Sequence, residues 1–390
     1  MVNKFRLIAS GELNEGVEYS ASRPVRAPNG VLWHAYSKYF SSTGLYGIYV
    51  AYSLNGGLSW IEEEVIDPTT SEQGYPHGSA VAVDSQNNIH VVWEGRDWDG
   101  VGYRTTQYRR RLASGVWEDR VALDNASTDN CEGPIRLEID KDDTLHVVWG
   151  RNVGGYYRAY YNQRTSGGAW GTLGTIVSPF GGDRDAEDLR SDPNGNLYFL
   201  NYYSTDGLTW QLRVRKRSDS TWGSAVLVTD RTAARGRMAI DSNGNLHIVY
   251  DAITGLYYKQ ISADGTLGSE EIITEIGGIL ISLGSIGLSP DEKTIHVVWT
   301  GPLIAGGSPY VLQCDRTSEG WGEIANLDPT GDYGNPRLID SLYPSSNRRG
   351  FAMVVDGPTD LWGQYFYRSK YLGNPNIDQL IYQHVERMTR

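Results

Sequence analysis

One phrase recurs along the chain and limits what it can fold into. A turn built on Asp, Asn and Gly is followed at once by a short β-type run, most copies ending in a large residue. The copies read RAPNGVLWHAY from Arg26, VDSQNNIHVVW from Val83, IDKDDTLHVVW from Ile139, SDPNGNLYFLN from Ser191, IDSNGNLHIVY from Ile240 and SPDEKTIHVVW from Ser289, with a degenerate seventh whose run is FAMVV from Phe351. Their first apolar residues, Leu32, Ile89, Leu145, Leu197, Leu246, Ile295 and Phe351, lie 49 to 57 residues apart. That period is blade length for a four-stranded propeller and too long for most solenoid repeats.

Each copy predicts the same four strands. A short strand enters the Asp/Asn-Gly turn, which is a hairpin signal, and the HVVW-type strand leaves it. A Tyr-rich third strand follows, as in GIYVAYS, YYRAYYNQR and LYYKQIS, and then a Gly/Ser/Trp turn leads to a fourth such as EEEVID or SAVLVTD. After Lys370 the chain runs into a tail, so the last repeat lacks its fourth strand, and the spare strand is Phe5-Arg6-Leu7-Ile8-Ala9. Pairing it into the last repeat closes the ring and removes an open sheet edge. The expectation is an all-β chain: one seven-bladed β-propeller over residues 1–371. A short C-terminal helix follows in 372–390, with Asn376 as cap and Ile377, Leu380, Ile381, Val385 and Met388 near helical spacing. That helix packs on the propeller or makes a self- or partner contact.

Charge and composition exclude several classes. With 35 basic against 47 acidic residues the net charge is −12, which argues against a general nucleic-acid or anionic-membrane binder. No run of about 18 apolar residues exists, so no membrane-spanning helix is expected. Cys131 and Cys314 are too few for a disulfide framework or a CxxC metal site. No phosphate loop or metal-ligand cluster appears, and Asp142-Asp143 and Asp183-Arg184-Asp185 read as acidic loops; no metal or cofactor is expected. The opening MVNKFRLIASGELNEGVEYS lacks the apolar stretch of a secretory signal. An extracellular, cell-surface or virion location therefore requires a trimmed or unneeded leader; otherwise the cytoplasm is expected.

The turn Ser53-Leu54-Asn55-Gly56-Gly57-Leu58-Ser59-Trp60 resembles the Asp-box (BNR) turn Ser-x-Asp-x-Gly-x-Thr-Trp, with Asn at the Asp position. Weaker copies are RTSGGAW from Arg164, STW at Ser220 and SEGW at Ser318. In such a turn a small polar side chain caps the hairpin backbone and the Trp packs between sheets. The chain thus resembles the sialidase-like superfamily, which includes sialidases, other exo-glycosidases, polysaccharide lyases and non-catalytic lectin-like members. The turn marks a fold and not an activity.

In propellers of this kind, ligands sit at the channel mouth where the first strands begin. Four residues upstream of the turn Asp stand Arg23, Ala80, Arg136, Asp188, Arg237 and Ser285, with Arg337 in the seventh copy after a one-residue shift. Arg23-Pro24-Val25 resembles the Arg-Ile-Pro motif that supplies a carboxylate-binding arginine in sialidases. Convergent guanidinium groups would clamp a carboxylate or sulfate bidentately. They would equally be neutralised by Glu132, Asp185, Glu187 and Asp188 in the same loops, and both readings stand. Arg96, Trp98 and Arg151 add binding candidates, with Asn152, Tyr202, Tyr203, Asp251 and Asp356 in similar places, because aromatics beside charged groups suit sugar rings.

Catalytic candidates are Glu94, Asp97 and Glu132 as acid or base, since a carboxyl crowded by others has a raised pKa. His77 beside Tyr75 would serve as the base of a lyase, whereas His90, His146, His247 and His296 recur in one strand position and read as architectural. Tyr333 would stand for a sialidase nucleophile. The resemblance fails at the sialidase acid: the stretch from Ser37 to Gly47 holds no carboxylate, which argues against sialic-acid hydrolysis. The leading reading is a carbohydrate-recognising propeller that binds an acidic glycan, as an enzyme or as a lectin. The reading from another class is a scaffolding propeller of a surface layer, virion or other assembly.

Overall fold

A computed structural model describes residues 6–10, 17–18, 23–40, 45–57, 59–66, 74–96, 104–124, 135–153, 156–176, 182–204, 210–231, 235–252, 255–275, 282–289, 291–301, 310–327, 334–338, 350–356 and 360–367. Every regular element among them is a β-strand. Among the described residues the turn phrase forms a hairpin: Arg136–Ile139 pairs antiparallel with Leu145–Val153, Gly236–Ile240 with Leu246–Ala252, and Ser282–Leu288 with Ile295–Gly301. The Tyr-rich strands continue each meander, as Tyr156–Arg164 and Gly255–Ile261 do, and a short outer strand ends it. Three of the resulting sheets have four strands in sequence order, and the sheet ending at Ala325–Asn326 has five because its outer strand is broken in two. The spare N-terminal strand is found as Arg6–Ser10, paired antiparallel with Asp360–Tyr367 in a further four-stranded sheet. The expected C-terminal helix lies outside the described residues.

One feature departs from the sequence expectation. The first two repeats form a single nine-stranded sheet, joined where Tyr46 pairs with Gly74. The long strand Leu45–Ser53 starts before its outer partner Ile61–Ile66 reaches it, and its free edge there meets the start of Gly74–Val83.

Apolar layers fill the gaps between successive sheets. Strand alternation puts Leu246, Ile248 and Tyr250 on one face, against Leu200, Leu212 and Val214 of the preceding sheet. Val249, Leu256 and Tyr258 of the same sheet face Val297, Trp299 and Leu312 of the next. Both faces are buried, so these strands read as near-continuous apolar runs. The turn tryptophans pack between sheets as well. Trp170 meets Tyr108 edge-on at 4.9 Å, Trp222 meets Tyr161 at 5.5 Å and Trp321 meets Tyr258 at 5.5 Å, each tyrosine belonging to the sheet before. In the first turn, Asn55 Oδ1 accepts the Ser59 N–H at 2.9 Å and Ser53 Oγ accepts the Gly57 N–H at 2.7 Å. Gly56 and Gly57 supply φ of 72° and 94°, a conformation that side chains resist.

The repeated histidines lock these hairpins. His146 Nδ1 lies 2.8 Å from the Tyr161 hydroxyl and Nε2 lies 3.0 Å from Asp140, whose other oxygen caps the turn through the Thr144 N–H. His90 bridges Tyr108 and Asp84 in the same way, and His247 bridges Tyr258 and Asp241. Three of the four histidines thus join an Asp and a Tyr at one repeat position, and His296 bonds Asp315 instead at 2.8 Å.

Burial lowers the pKa of His90 and His247 despite their aspartates. Burial alone would raise Asp84, but hydrogen bonds from His90 and Asn88 overcome it and bring the carboxyl down to about 2. Both kinds of group have folded pKa values below their unfolded ones, so their stabilisation is complete above the unfolded pKa and is lost as pH falls. Thermal denaturation should therefore show the melting temperature falling below about pH 6.5, the histidine range, and again below about pH 4, the aspartate range. A flat profile between pH 7 and pH 5 would contradict buried neutral histidines.

Candidate functional site

Five of the ring-position residues come together at the centre. Arg23, Ala80, Arg136, Asp188 and Arg237 all line one cavity of about 340 Å³ between the first strands, which extends down to Asp140, Asp143 and Asp192 at the turns. Arg23 and Arg237 pair with two neighbouring carboxylates, and Arg136 bonds the backbone carbonyl between them. Arg23 is ion-paired with Asp188 and donates to the Met238 carbonyl at 2.6 Å. Arg237 Nη1 lies 2.9 Å from Glu187 Oε2 and 3.1 Å from the Glu187 carbonyl, which also accepts Arg136 Nε at 2.8 Å.

Consecutive strand residues normally face opposite ways. Glu187 and Asp188 both reach the cluster because of a β-bulge: Ala186 pairs with Asn201 and Asp188 with Leu200, which leaves Glu187 as the extra residue. The two carboxylates also accept neighbouring backbone donors, Glu187 from Gly236 at 3.2 Å and Asp188 from Met238 at 2.6 Å. Gly236 has no room for a side chain, since a Cβ would stand 2.5 Å from Leu200 Cδ2.

Two members were missed in the sequence although alternation marks them. Arg190 sits two residues after Asp188, and Glu138 two after Arg136, so each shares a face with a recognised residue. Arg190 Nη1 lies 3.2 Å from Glu138 and its Nη2 3.5 Å from Asp188. Among the described side chains, four guanidinium groups (Arg23, Arg136, Arg190, Arg237) and three carboxylates (Glu138, Glu187, Asp188) thus converge here, with Asp140, Asp143 and Asp192 farther down the same cavity. Burial, and after it the nearby Arg237, push Arg136 down to about 9, which leaves it a cation at neutral pH. Burial would raise Asp188, but Arg190, Arg23 and Arg237 overcome it and hold the carboxyl below its usual range. The centre is therefore a preformed array of fixed charges.

The remaining candidates fall elsewhere. Glu94, in Ile89–Arg96, is fully buried and does not line the cavity. Arg151, in Leu145–Val153, is buried with its guanidinium 5.0 Å from the Tyr160 ring centre. Asp251 accepts the Arg235 N–H at 2.6 Å and so pins the entry to Gly236–Ile240. Tyr202 stacks on Trp210 at 4.9 Å, and Arg213 lies 4.0 Å from the Tyr203 ring centre. His77, Arg96 and Arg337 lie in the strands Gly74–Val83, Ile89–Arg96 and Gly334–Leu338, where the backbone alone is described. Asp97, Trp98, Glu132 and Tyr333 lie outside the described residues.

Tyr–Glu pairs do occur: Tyr36 donates to Glu62 and Tyr250 to Glu270. Burial first, and then the partner glutamate, push both phenols up, opposite to what a tyrosine nucleophile needs. They are structural bonds between second and fourth strands.

No family model matches the chain, and no curated protein sequence matches it. Solved structures do. An α-L-arabinanase of Penicillium chrysogenum complexed with arabinobiose is 15% identical, with a TM-score of 0.56 over 83% of this chain and 98% of that one. The GH93 α-L-arabinofuranosidase of Fusarium graminearum is 13% identical, with a TM-score of 0.54 over 83% and 97%. The NanB sialidase of Streptococcus pneumoniae is 12% identical, with a TM-score of 0.51 over 93% and 71%. At such identities the likeness shows the fold, a sialidase-like propeller of antiparallel sheets.

Removing one partner from a buried ion cluster leaves an uncompensated charge, at a cost of about 3–5 kcal/mol. Asp188→Asn should lose about that much stability in chemical denaturation, because Arg23 and Arg190 both face it. A loss under about 1 kcal/mol would mean that the arginines are not held as described.

Proposed function

We propose that this chain is a carbohydrate-recognising, sialidase-like propeller of seven blades that receives an acidic glycan, through a carboxylate or sulfate, at the arginine-lined mouth of its channel. The observation that carries the reading is the convergence of four guanidinium groups, Arg23, Arg136, Arg190 and Arg237, on one cavity of an otherwise acidic protein. Charge-assisted, forked hydrogen bonds are the usual means of recognising a carboxylate or sulfate, and a buried site strengthens them. The structural relatives, a sialidase and enzymes bound to or acting on arabinose-containing sugars, support a glycan as ligand class. The Ser53–Trp60 turn is read as an Asp-box variant in which Asn55 does the capping. Any bond cleavage falls to the remaining candidates Asp97, Glu132, His77 or Tyr333, since Glu94 is buried away from the cavity.

The internal pairing of Arg23 and Arg237 favours a second reading, a non-catalytic scaffold whose channel is merely sealed by ion pairs. Native mass spectrometry with a pool of sialylated, uronate, sulfated and neutral arabinose oligosaccharides separates the two. The glycan reading expects acidic members to be retained in preference to neutral ones. It also expects the Arg23→Lys, Arg237→Lys double variant, which keeps the charge but loses the fork, to bind about tenfold or more weakly. Retention of no acidic sugar, or equal retention of neutral ones, would sink it and leave the scaffold.

A further inference from the structure

An arginine paired across the hairpin with a turn tryptophan recurs in the outer part of the sheets, and in one copy its carboxylate is missing. In the second repeat Arg111 donates to Glu63 at 2.8 and 3.0 Å, and Trp117 Nε1 donates to the same carboxylate at 2.7 Å. In the sixth, Arg316 donates to Glu271 at 2.7 and 2.8 Å, and Trp321 Nε1 does so at 2.9 Å. Each glutamate belongs to the outer strand of the repeat before, Glu63 opposite Val50 and Glu271 opposite Tyr258. The carboxylate thus joins neighbouring repeats, and Arg316 and Trp321 both rest on the Tyr258 ring.

The fourth repeat carries the same cation and the same indole. Arg217 pairs with Trp222 across the hairpin, and both rest on Tyr161 of the third repeat, the guanidinium 4.9 Å and the indole 5.5 Å from its ring centre. The residue opposite Tyr161, where Tyr258 has Glu271, is Gly174. No acidic residue occurs from Gly171 to Ile176. Arg217 forms no ion pair among the described residues and donates instead to the neutral Gln163 Oε1 at 3.0 Å. Trp222 Nε1 is shielded from solvent with no acceptor, an unmade bond that costs free energy. Arg213 and Arg215 leave the same face of the strand and form no ion pair among the described residues either, so the surroundings stay positive. Two further copies close the place with an apolar side chain, Val121 before Arg164 and Trp170, and Val226 before Ile261 and Leu267. At Gly174 nothing closes it: a Cβ there would meet no atom within 4 Å.

We propose that Arg217, Trp222 and the gap at Gly174 form a carboxylate-binding site between the third and fourth repeats. An acid group from outside the chain fills it, as Glu63 and Glu271 fill its counterparts from within. The carboxylate takes the guanidinium from Gln163 and gives the indole N–H its acceptor. It comes from a small organic acid or from an acidic side chain of a partner protein. None of these residues lines the central cavity, so the site stands apart from the glycan reading.

Nuclear magnetic resonance of the full chain with isotope-labelled tryptophan tests this by following the Trp222 indole N–H, identified with Trp222→Phe. The probes are acetate and the peptide acetyl-Gly-Glu-Gly-amide, beside chloride at equal ionic strength and the Gln form of the peptide. The signal should move saturably with acetate or the Glu peptide and not with chloride or the Gln peptide. Arg217→Gln should weaken that response about tenfold or more. Gly174→Glu should hold the signal near its bound position with no probe added, and should melt about 1–3 °C above Gly174→Gln. A Glu peptide bound about tenfold or more tightly than acetate assigns the site to a protein partner, and comparable binding assigns it to a free acid. No saturable movement with either probe, or equal movement with chloride, would overturn the site. So would a Gly174→Glu chain whose indole signal and melting temperature match those of Gly174→Gln.

Discussion

Two adjacent carboxylates, Glu187 and Asp188, organise the centre of this molecule. The β-bulge at Glu187 turns both inward, where they hold Arg23, Arg237 and the backbone of Gly236 and Met238, while the Glu187 carbonyl holds Arg136. They thereby tie the channel-side residues of four repeats together. The apolar layers between sheets supply most of the burial energy but are indifferent to small sliding of one sheet on the next. Directional ion pairs and hydrogen bonds are not. A buried ion cluster is a poor source of net stability, yet breaking it is costly, so in this protein it fixes which atoms face the axis.

The same charges that hold the channel also limit what it can recognise. Four guanidinium groups and three carboxylates are already ordered before any ligand arrives. A ligand then spends little on arranging the site. Arg136 remains charged at neutral pH even though burial and Arg237 push it down to about 9.

Much of the fold was legible in the sequence because its period is long and its turns are chemically marked. Asp84, Asp140, Asp192 and Asp241 cap their turns by accepting backbone N–H groups, so the letters that announce a hairpin are the ones that hold it. The recurrence of His90, His146 and His247 correctly marked them as structural, since each sits between an Asp and a Tyr of its own sheet. The ring position was legible too, because repeat alignment puts Arg23, Arg136, Asp188 and Arg237 at one height. The bulge was not, since nothing in the letters Ala186-Glu187-Asp188 distinguishes an extra residue from a regular one. Without it Glu187 would be assigned to the opposite face. Arg190 and Glu138 were overlooked for want of following alternation two residues onward. The Tyr46–Gly74 bridge depends on strand length, which the sequence pattern defines least well.

The central claim is that the arginines around the axis, ordered by Glu187 and Asp188, are the place where an acidic group is received. A crystal structure of the chain soaked with a doubly charged acidic disaccharide tests it most directly. The account predicts the acid group of one sugar within hydrogen-bonding distance of at least two of Arg23, Arg136 and Arg237, with Glu187 and Asp188 still in place behind them. A sugar bound only on the outer rim, or an empty channel at saturating ligand with the ion pairs unchanged, would contradict it.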